Sequence, residues 1–288
     1  MRQETVTADG PTLPEPADVG DFYERHHHLL TGMCGGDMHS GYWHGPHDIS
    51  GFEVASARMT DQVLDRLDVG PGMKVLDVGC GAGGPGVRLA KWCEARVTGI
   101  SLGAGEVARA TARAEAAGVS GRVAFQRADA ARMPFPDAAF DRVMAIECLV
   151  HAADRVAVLR EIARVLKPGG RAVLTDFVLL GPETEDEEEK AAVARMLTAL
   201  RTAPMVRTED YPGLLRDAGL EPVEITDITE HTKYTRGRLC LAIGAHLREH
   251  PRPSEELRLL HDMHEHIEWM DFDQLPQSDG VVIVVAEV

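Results

Sequence analysis

The sequence predicts an α/β protein built on a mostly parallel sheet with helices on both faces. Three observations carry this reading. Short apolar runs alternate with helix-period segments from residue 74 onward, a glycine-rich turn follows the first apolar run, and the 288-residue chain closes on the apolar stretch Gly280-Val-Val-Ile-Val-Val-Ala-Glu-Val288. Regular alternation gives parallel strands joined by helical crossovers, with the ligand site at the carboxyl ends of the strands.

Taken in order, residues 1–18 hold four prolines and glycines among polar residues with no periodicity, which predicts a flexible tail. Residues 19–67 turn helical, broken by a loop near 32–45, and are expected to form an N-terminal helical cap. The segment 68–180 is the expected ligand-binding core, with strands at 74–78, 95–100, 122–126, 141–146 and 171–178 and helices at 84–93, 104–117 and 154–166. Over 181–288 the alternation lapses into helical stretches at 186–201 and 233–267, a helix at 208–218, a strand at 221–228 and the closing strand. The expected total is seven strands.

Bulk properties exclude several classes. No apolar run reaches the roughly 18 residues a membrane span needs, and the first residues lack the apolar core of a signal peptide, so a cytoplasmic protein with no membrane partner is expected. A formal net charge of −16 opposes binding to a phosphate backbone, so no nucleic acid is expected as partner. Five scattered cysteines without metal-ligand spacing read as free thiols. The acidic run from Glu183 to Lys190 reads as a solvated loop entering a helix.

Chemistry concentrates in Lys74-Val-Leu-Asp-Val-Gly-Cys-Gly-Ala-Gly-Gly-Pro85, where a strand ending in Asp77 runs into a turn bare enough to bring backbone N–H groups against a nucleotide-like cofactor. Gly79, Gly81 and Gly84 also satisfy the G-x-G-x-x-G pattern of dinucleotide sites. The carboxylate here lies before the glycines, however, and Ser101 holds the place after the second apolar run where a dinucleotide site needs an acid. A NAD-binding reading is weakened accordingly.

Asp77 with its glycines, Ser101, Ala128-Asp129-Ala130 and Arg164-Val-Leu-Lys-Pro-Gly-Gly170 together resemble the class I S-adenosylmethionine-dependent methyltransferases in order and separation. The resemblance covers residues 35–180 best. Met38-His-Ser-Gly-Tyr-Trp43, Ala145-Ile-Glu-Cys-Leu-Val-His151 and Leu174-Thr-Asp-Phe-Val-Leu-Leu180 are similar to actinobacterial small-molecule methyltransferases of antibiotic pathways, such as the sugar O-methyltransferase of indolocarbazole biosynthesis. The resemblance implies a Rossmann-like fold, S-adenosyl-L-methionine as cofactor, and late helical insertions serving as a substrate lid. It implies Asp77, Gly79 and Gly81 at the methionine part, with Glu147 among the cofactor contacts. Ser101 and Glu106 fall at the ribose, where most relatives have Asp or Glu in place of Ser101. Asp129 and Ala130 fall at the adenine, and Tyr42 and Trp43 over the sulfonium, where an aromatic face suits a cation.

For the reaction, the resemblance implies a base at the end of the fourth strand. Relatives carry adjacent histidines there; in this chain the first position is Val150 and only His151 remains. Asp176, at the end of the fifth strand, is its expected catalytic partner, and His39 the expected substrate-side histidine. Other histidines cluster at 26–28, 44 and 47 and at 261, 264 and 266, and no catalytic metal is expected from them. The acceptor is expected to be a small secondary metabolite, with O-methylation ahead of N- and C-methylation. A cyclase or isomerase that retains the cofactor is the alternative, and a homo-oligomer is left open.

Overall fold

Each apolar run becomes a strand because its alternate side chains bury on opposite faces of one sheet. The computed structural model describes residues 13–181, 197–250 and 279–288, together with isolated positions between 190 and 194 and between 257 and 261. Its strands are β1 (Lys74–Val78), β2 (Arg96–Ser101), β3 (Val123–Arg127), β4 (Phe140–Ile146), β5 (Leu166–Leu179), β6 (Val206–Arg207), β7 (Glu221–Asp227) and β8 (Asp279–Glu287). The sheet order is β3-β2-β1-β4-β5-β8-β7, with the two-residue β6 beside β5. Strands β1 to β6 pair in parallel, and β8 runs antiparallel between β5 and β7. This is the Rossmann-like sheet expected from the sequence.

The helices are α1 (Pro16–Met33), α2 (Phe52–Leu67), α3 (Gly84–Trp92), α4 (Ala104–Ala116), α5 (Arg155–Val165), α6 (Tyr211–Asp217), α7 (Thr229–Thr232) and α8 (Tyr234–Glu249). Leu76, Val78, Val143 and Ala145 face α5 and α6, packing on Val158, Leu159, Ile162, Tyr211 and Leu215. Val75, Val97, Met144 and Val173 face the other way, against Met59, Val63 and Leu64 of α2 and Val87 and Leu89 of α3. The period-two alternation of β1 thus builds both halves of the core. A smaller cluster joins Phe22 and Leu30 of α1 to Ile243 of α8, Leu257 and Leu260.

Two details differ from the expectation. Strand β5 starts at Leu166, because the chain leaves α5 directly into the sheet and a register shift between Phe140 and Arg142 takes up Lys167-Pro-Gly-Gly170. Strand β6 and helix α7 are too short to carry a periodic signal. The acidic run, most of the expected helix 186–201, and His264 and His266 lie outside the described residues, although 197–199 are helical.

Candidate active site

The glycine turn sits where parallel strands end. The N–H groups of Gly79 and Cys80 both donate to the Ile100 carbonyl, at 2.9 Å each, which ties the turn to the end of β2. Gly79 and Gly81 have φ of 72° and 49°, the left-handed region that disfavours any Cβ. A Cβ on Gly79 would lie 2.5 Å from the Cys148 Sγ, whereas one on Gly81 meets only Glu106 Oε1 at 3.7 Å and would otherwise project into open space. Beside the turn, Asp77 is 1% exposed and its Oδ2 has no hydrogen-bond partner among the described residues. Burial pushes its carboxyl up to about 7, the charge of Asp37 adds to this, and the Gly86 N–H opposes it. A buried carboxylate oxygen without a donor is costly unless a ligand supplies one.

Above the strand ends lies a cavity of about 290 Å³. Its walls include Asp77, Gly79, Gly81, Ser101, Glu106, Asp129, Ala130 and Glu147, every cofactor residue expected from sequence except Tyr42 and Trp43. Ser101 Oγ donates to Glu106 Oε2 at 2.5 Å, so the neutral residue that ends β2 is joined by a carboxylate from the first turn of α4. Asp129 accepts the Ala131 N–H at 2.9 Å, which fixes the turn after β3. Orphaned Asp77 Oδ2 and the open space over Gly81 fit a cofactor that carries an ammonium group and approaches the backbone closely.

At the opposite wall, His151 follows β4 in a single 3-10 turn, Leu149–His151. Its Nδ1 lies 2.8 Å from the Arg201 carbonyl oxygen, which only accepts, so Nδ1 carries the proton. Burial lowers the His151 pKa, with the Arg201 hydrogen bond and Glu106 opposing and Arg155 adding, so the ring is neutral at neutral pH. Nε2 therefore accepts from the Tyr23 O–H, 2.7 Å away. The rings of Tyr23 and His151 meet edge-on at 5.3 Å, and both line the cavity. Tyr23 comes from α1, and burial pushes its phenol well above the ordinary value.

His39 also lines the cavity, with Nδ1 donating to the Ser40 carbonyl at 3.0 Å and with Ser56 and Thr60 around the ring. Glu147 adopts a left-handed φ of 49°, which its N–H bonds to Thr175 hold. Its carboxylate accepts the Ser40 N–H at 2.9 Å. Burial raises its pKa, and His39 and Ser40 oppose the rise.

Three of the residues expected at the site lie off the cavity wall. Tyr42 and Trp43 do not line the cavity. Trp43 is fully buried, edge-on to Phe52, with Nε1 donating to the Ser50 carbonyl, and Tyr42 stacks on His231 at 4.1 Å. The close approach of the Trp43 indole to Gly41, which leaves no room for a Cβ there, turns this loop inward. The aromatic wall is Tyr23 instead. Asp176 is also off the cavity and makes no bond to His151. It is fully buried and accepts from Arg155 Nε at 3.1 Å, Tyr211 O–H at 3.2 Å and its neighbour's N–H, that of Phe177, at 2.9 Å. Tyr23 and Asp37 line the cavity and were not among the residues expected there from sequence. Asp37 pairs with Arg113 at 2.5 Å, and its carboxylate fills the place a Cβ on Gly84 would take.

A parallel sheet with one reversed strand, an acid near the end of β1, a glycine turn after it and an acid after β3 define the class I methyltransferase architecture. Residues 76–174 match the family model described as a methyltransferase domain. Methyltransferase GfsG of Streptomyces halstedii is 41% identical over 218 residues, 76% of this chain and 78% of that protein. The 27-O-demethylrifamycin SV methyltransferase of Amycolatopsis mediterranei is 40% identical over 226 residues, 77% of this chain and 80% of that protein. Among solved structures, the 4+2 cyclase SpnF superposes with a TM-score of 0.82 at 28% identity, covering 97% of this chain and 98% of that one. The chain belongs to the class I S-adenosylmethionine-dependent methyltransferases and is an enzyme of the natural-product type.

Proposed function

We propose that the enzyme methylates a hydroxyl group of a small secondary metabolite, and that Tyr23 and His151 carry the acceptor proton away. The hydrogen bond from Tyr23 to an unprotonated His151 Nε2 supports this reading most directly. Asp77 holds the cofactor ammonium, and Gly79 and Gly81 admit the methionine part. Ser101 and Glu106 take the ribose hydroxyls, and Asp129 with the Ala130 N–H takes the adenine. Glu147 and His39 border the reacting end. Bound there, S-adenosyl-L-methionine supplies an electrophilic methyl group on a sulfonium.

Methyl transfer of this kind gains chiefly from positioning. A hydroxyl acceptor must also lose its proton. Tyr23 oxygen accepts that proton as its own passes to His151 Nε2, and the Arg201 carbonyl stabilises the resulting imidazolium through Nδ1–H. The O-methyltransferase names among the relatives, including resE of Aspergillus sclerotiorum at 39% identity, support an oxygen acceptor. Supplying the enzyme with labelled cofactor and a panel of hydroxylated metabolites, 27-O-demethylrifamycin SV among them, tests this. A methylated product whose label sits on nitrogen or carbon would overturn the oxygen assignment.

The similarity to SpnF favours one second reading, a cyclase that retains its cofactor. S-adenosylhomocysteine formed in step with product excludes it. Product formed with the cofactor intact would favour it.

A further inference from the structure

The corrected position of Asp176 leaves a buried charged cluster that the methyl-transfer reading does not use. Arg155, on the first turn of α5, is itself buried and spans two elements. Its Nε donates to Asp176 within β5, and its Nη1 donates at 2.8 Å to the carbonyl of Pro204. Tyr211 of α6 donates to the same Asp176 oxygen that receives Arg155.

Pro204 belongs to a short strap that follows the helical residues 197–199. The strap is held against the turn after β4 and the start of α5 at three places: the Ala203 N–H donates to the Val150 carbonyl at 2.7 Å, the Arg201 carbonyl receives His151 Nδ1, and the Pro204 carbonyl receives Arg155. Arg201 adopts φ 54°, a left-handed turn that interrupts the preceding helical run at this point. Beyond it, Val206 pairs with Val178 of β5. A neutral imidazole has two tautomers, and the bond made by one nitrogen decides which nitrogen is left to act. Here that bond comes from the strap.

We propose that Arg155, Asp176 and Tyr211 are positioning residues that seat the 201–204 strap and thereby hold His151 as the Nδ1-protonated tautomer, with Nε2 turned to Tyr23 and the cavity. The inference rests on the base role given to His151 above, but the state of its ring is measurable without any acceptor. The test is nitrogen-15 NMR of histidine-labelled full-length protein, bound to S-adenosylhomocysteine, for the parent, Arg155→Lys and Asp176→Asn. Lysine keeps the charge beside Asp176 but cannot reach both Asp176 and Pro204.

The parent is expected to show a single Nδ1-protonated population for His151. Both variants are expected to show a mixture of tautomers and turnover reduced about 10- to 100-fold, the scale of a displaced catalytic group. Affinity for S-adenosylhomocysteine is expected to stay at the parent level. Folded variants that keep one Nδ1-protonated population would overturn the proposal. Should Arg155→Lys fail to fold, the uncharged change Tyr211→Phe carries the test, and a tautomer ratio identical to the parent overturns the proposal in the same way. A shifted tautomer with parental turnover keeps the positioning role and removes the base role from His151, which separates the two readings.

Discussion

Asp77 shows how one side chain couples the cofactor to pH. Its carboxyl titrates near 7 when buried alone, so it binds a proton through the range where an unfolded aspartate, at about 3.9, has lost it. The ligand-free fold therefore loses stability as pH rises from about 4 to 7, while an ammonium group gains a partner only above the folded value. Affinity for S-adenosylhomocysteine is expected to rise with pH through about 7, at most roughly tenfold per unit below it, and Asp77→Asn to weaken binding and flatten that dependence. Calorimetry at several pH values measures both, and a pH-independent parent would contradict it. At Gly81, φ of 49° and the open space beside it make Gly81→Val incompatible with a close ligand, and loss of binding in the folded variant is expected by the same measurement. Asp129→Ala is expected to weaken binding about ten- to a hundredfold, from the roughly 1.5–3 kcal/mol of a charged hydrogen bond. For Tyr23→Phe and His151→Ala the expected loss is in turnover, about 10²–10⁴-fold. His151 is held below the ordinary imidazole pKa and works unprotonated, so the acid limb of turnover in the parent is expected below pH about 6.5. The cavity residues on strand ends were legible in the sequence because a strand end followed by glycine or acid is a local pattern. Tyr23 was not, because nothing in an amphipathic helix states which strand end its turn will face.

Between elements, the strap from 201 to 207 and the turn 149–151 depend on each other through hydrogen bonds to backbone carbonyls, which carry no side-chain signature. That is why sequence alone paired Asp176 with His151: both were placed at the ends of neighbouring strands, but β5 runs on past Asp176, which is buried within the sheet, while His151 lies beyond β4 on the cavity wall. The alternating core from β1 to β5 was legible for the opposite reason, since apolar period fixes face and crossover handedness fixes order. The Arg155–Asp176 pair is expected to reveal its burial through stability. Arg155→Ala strands a buried carboxylate and is expected to cost about 3–5 kcal/mol, whereas removing both charges in Arg155→Met with Asp176→Leu is expected to cost less than that single change. Chemical denaturation of the three proteins measures the difference, and a double variant weaker than the single would contradict it.

Across the whole molecule, packing is uneven in a way that bears on access to the cavity. Among the described residues, both faces of the sheet carry large continuous clusters, whereas α1 packs in the smaller cluster around Phe22, Leu30 and Ile243 and makes polar contacts such as Glu24 to the Gly105 N–H. Segments with fewer buried apolar contacts open at lower free energy than the core they rest on. Pro16, Val19 and Tyr23 of α1 line the cavity, whose other walls include the strand residues Asp77, Ile100, Ser101 and Ile146, tied into the sheet. Displacement of α1, with β1 and β4 left in place, is therefore the expected route of ligand exchange. Binding adds contacts to the closed position alone, which stabilises α1 by up to about 2.7 kcal/mol at a ligand concentration 100 times Kd. Hydrogen exchange is expected to slow across residues 16–33 when S-adenosylhomocysteine is added, by more than it slows in 74–78 or 140–146. Equal slowing everywhere would mean that the ligand reports global stability and that α1 opens only with the sheet. No slowing in α1 would place the route of exchange on another wall of the cavity.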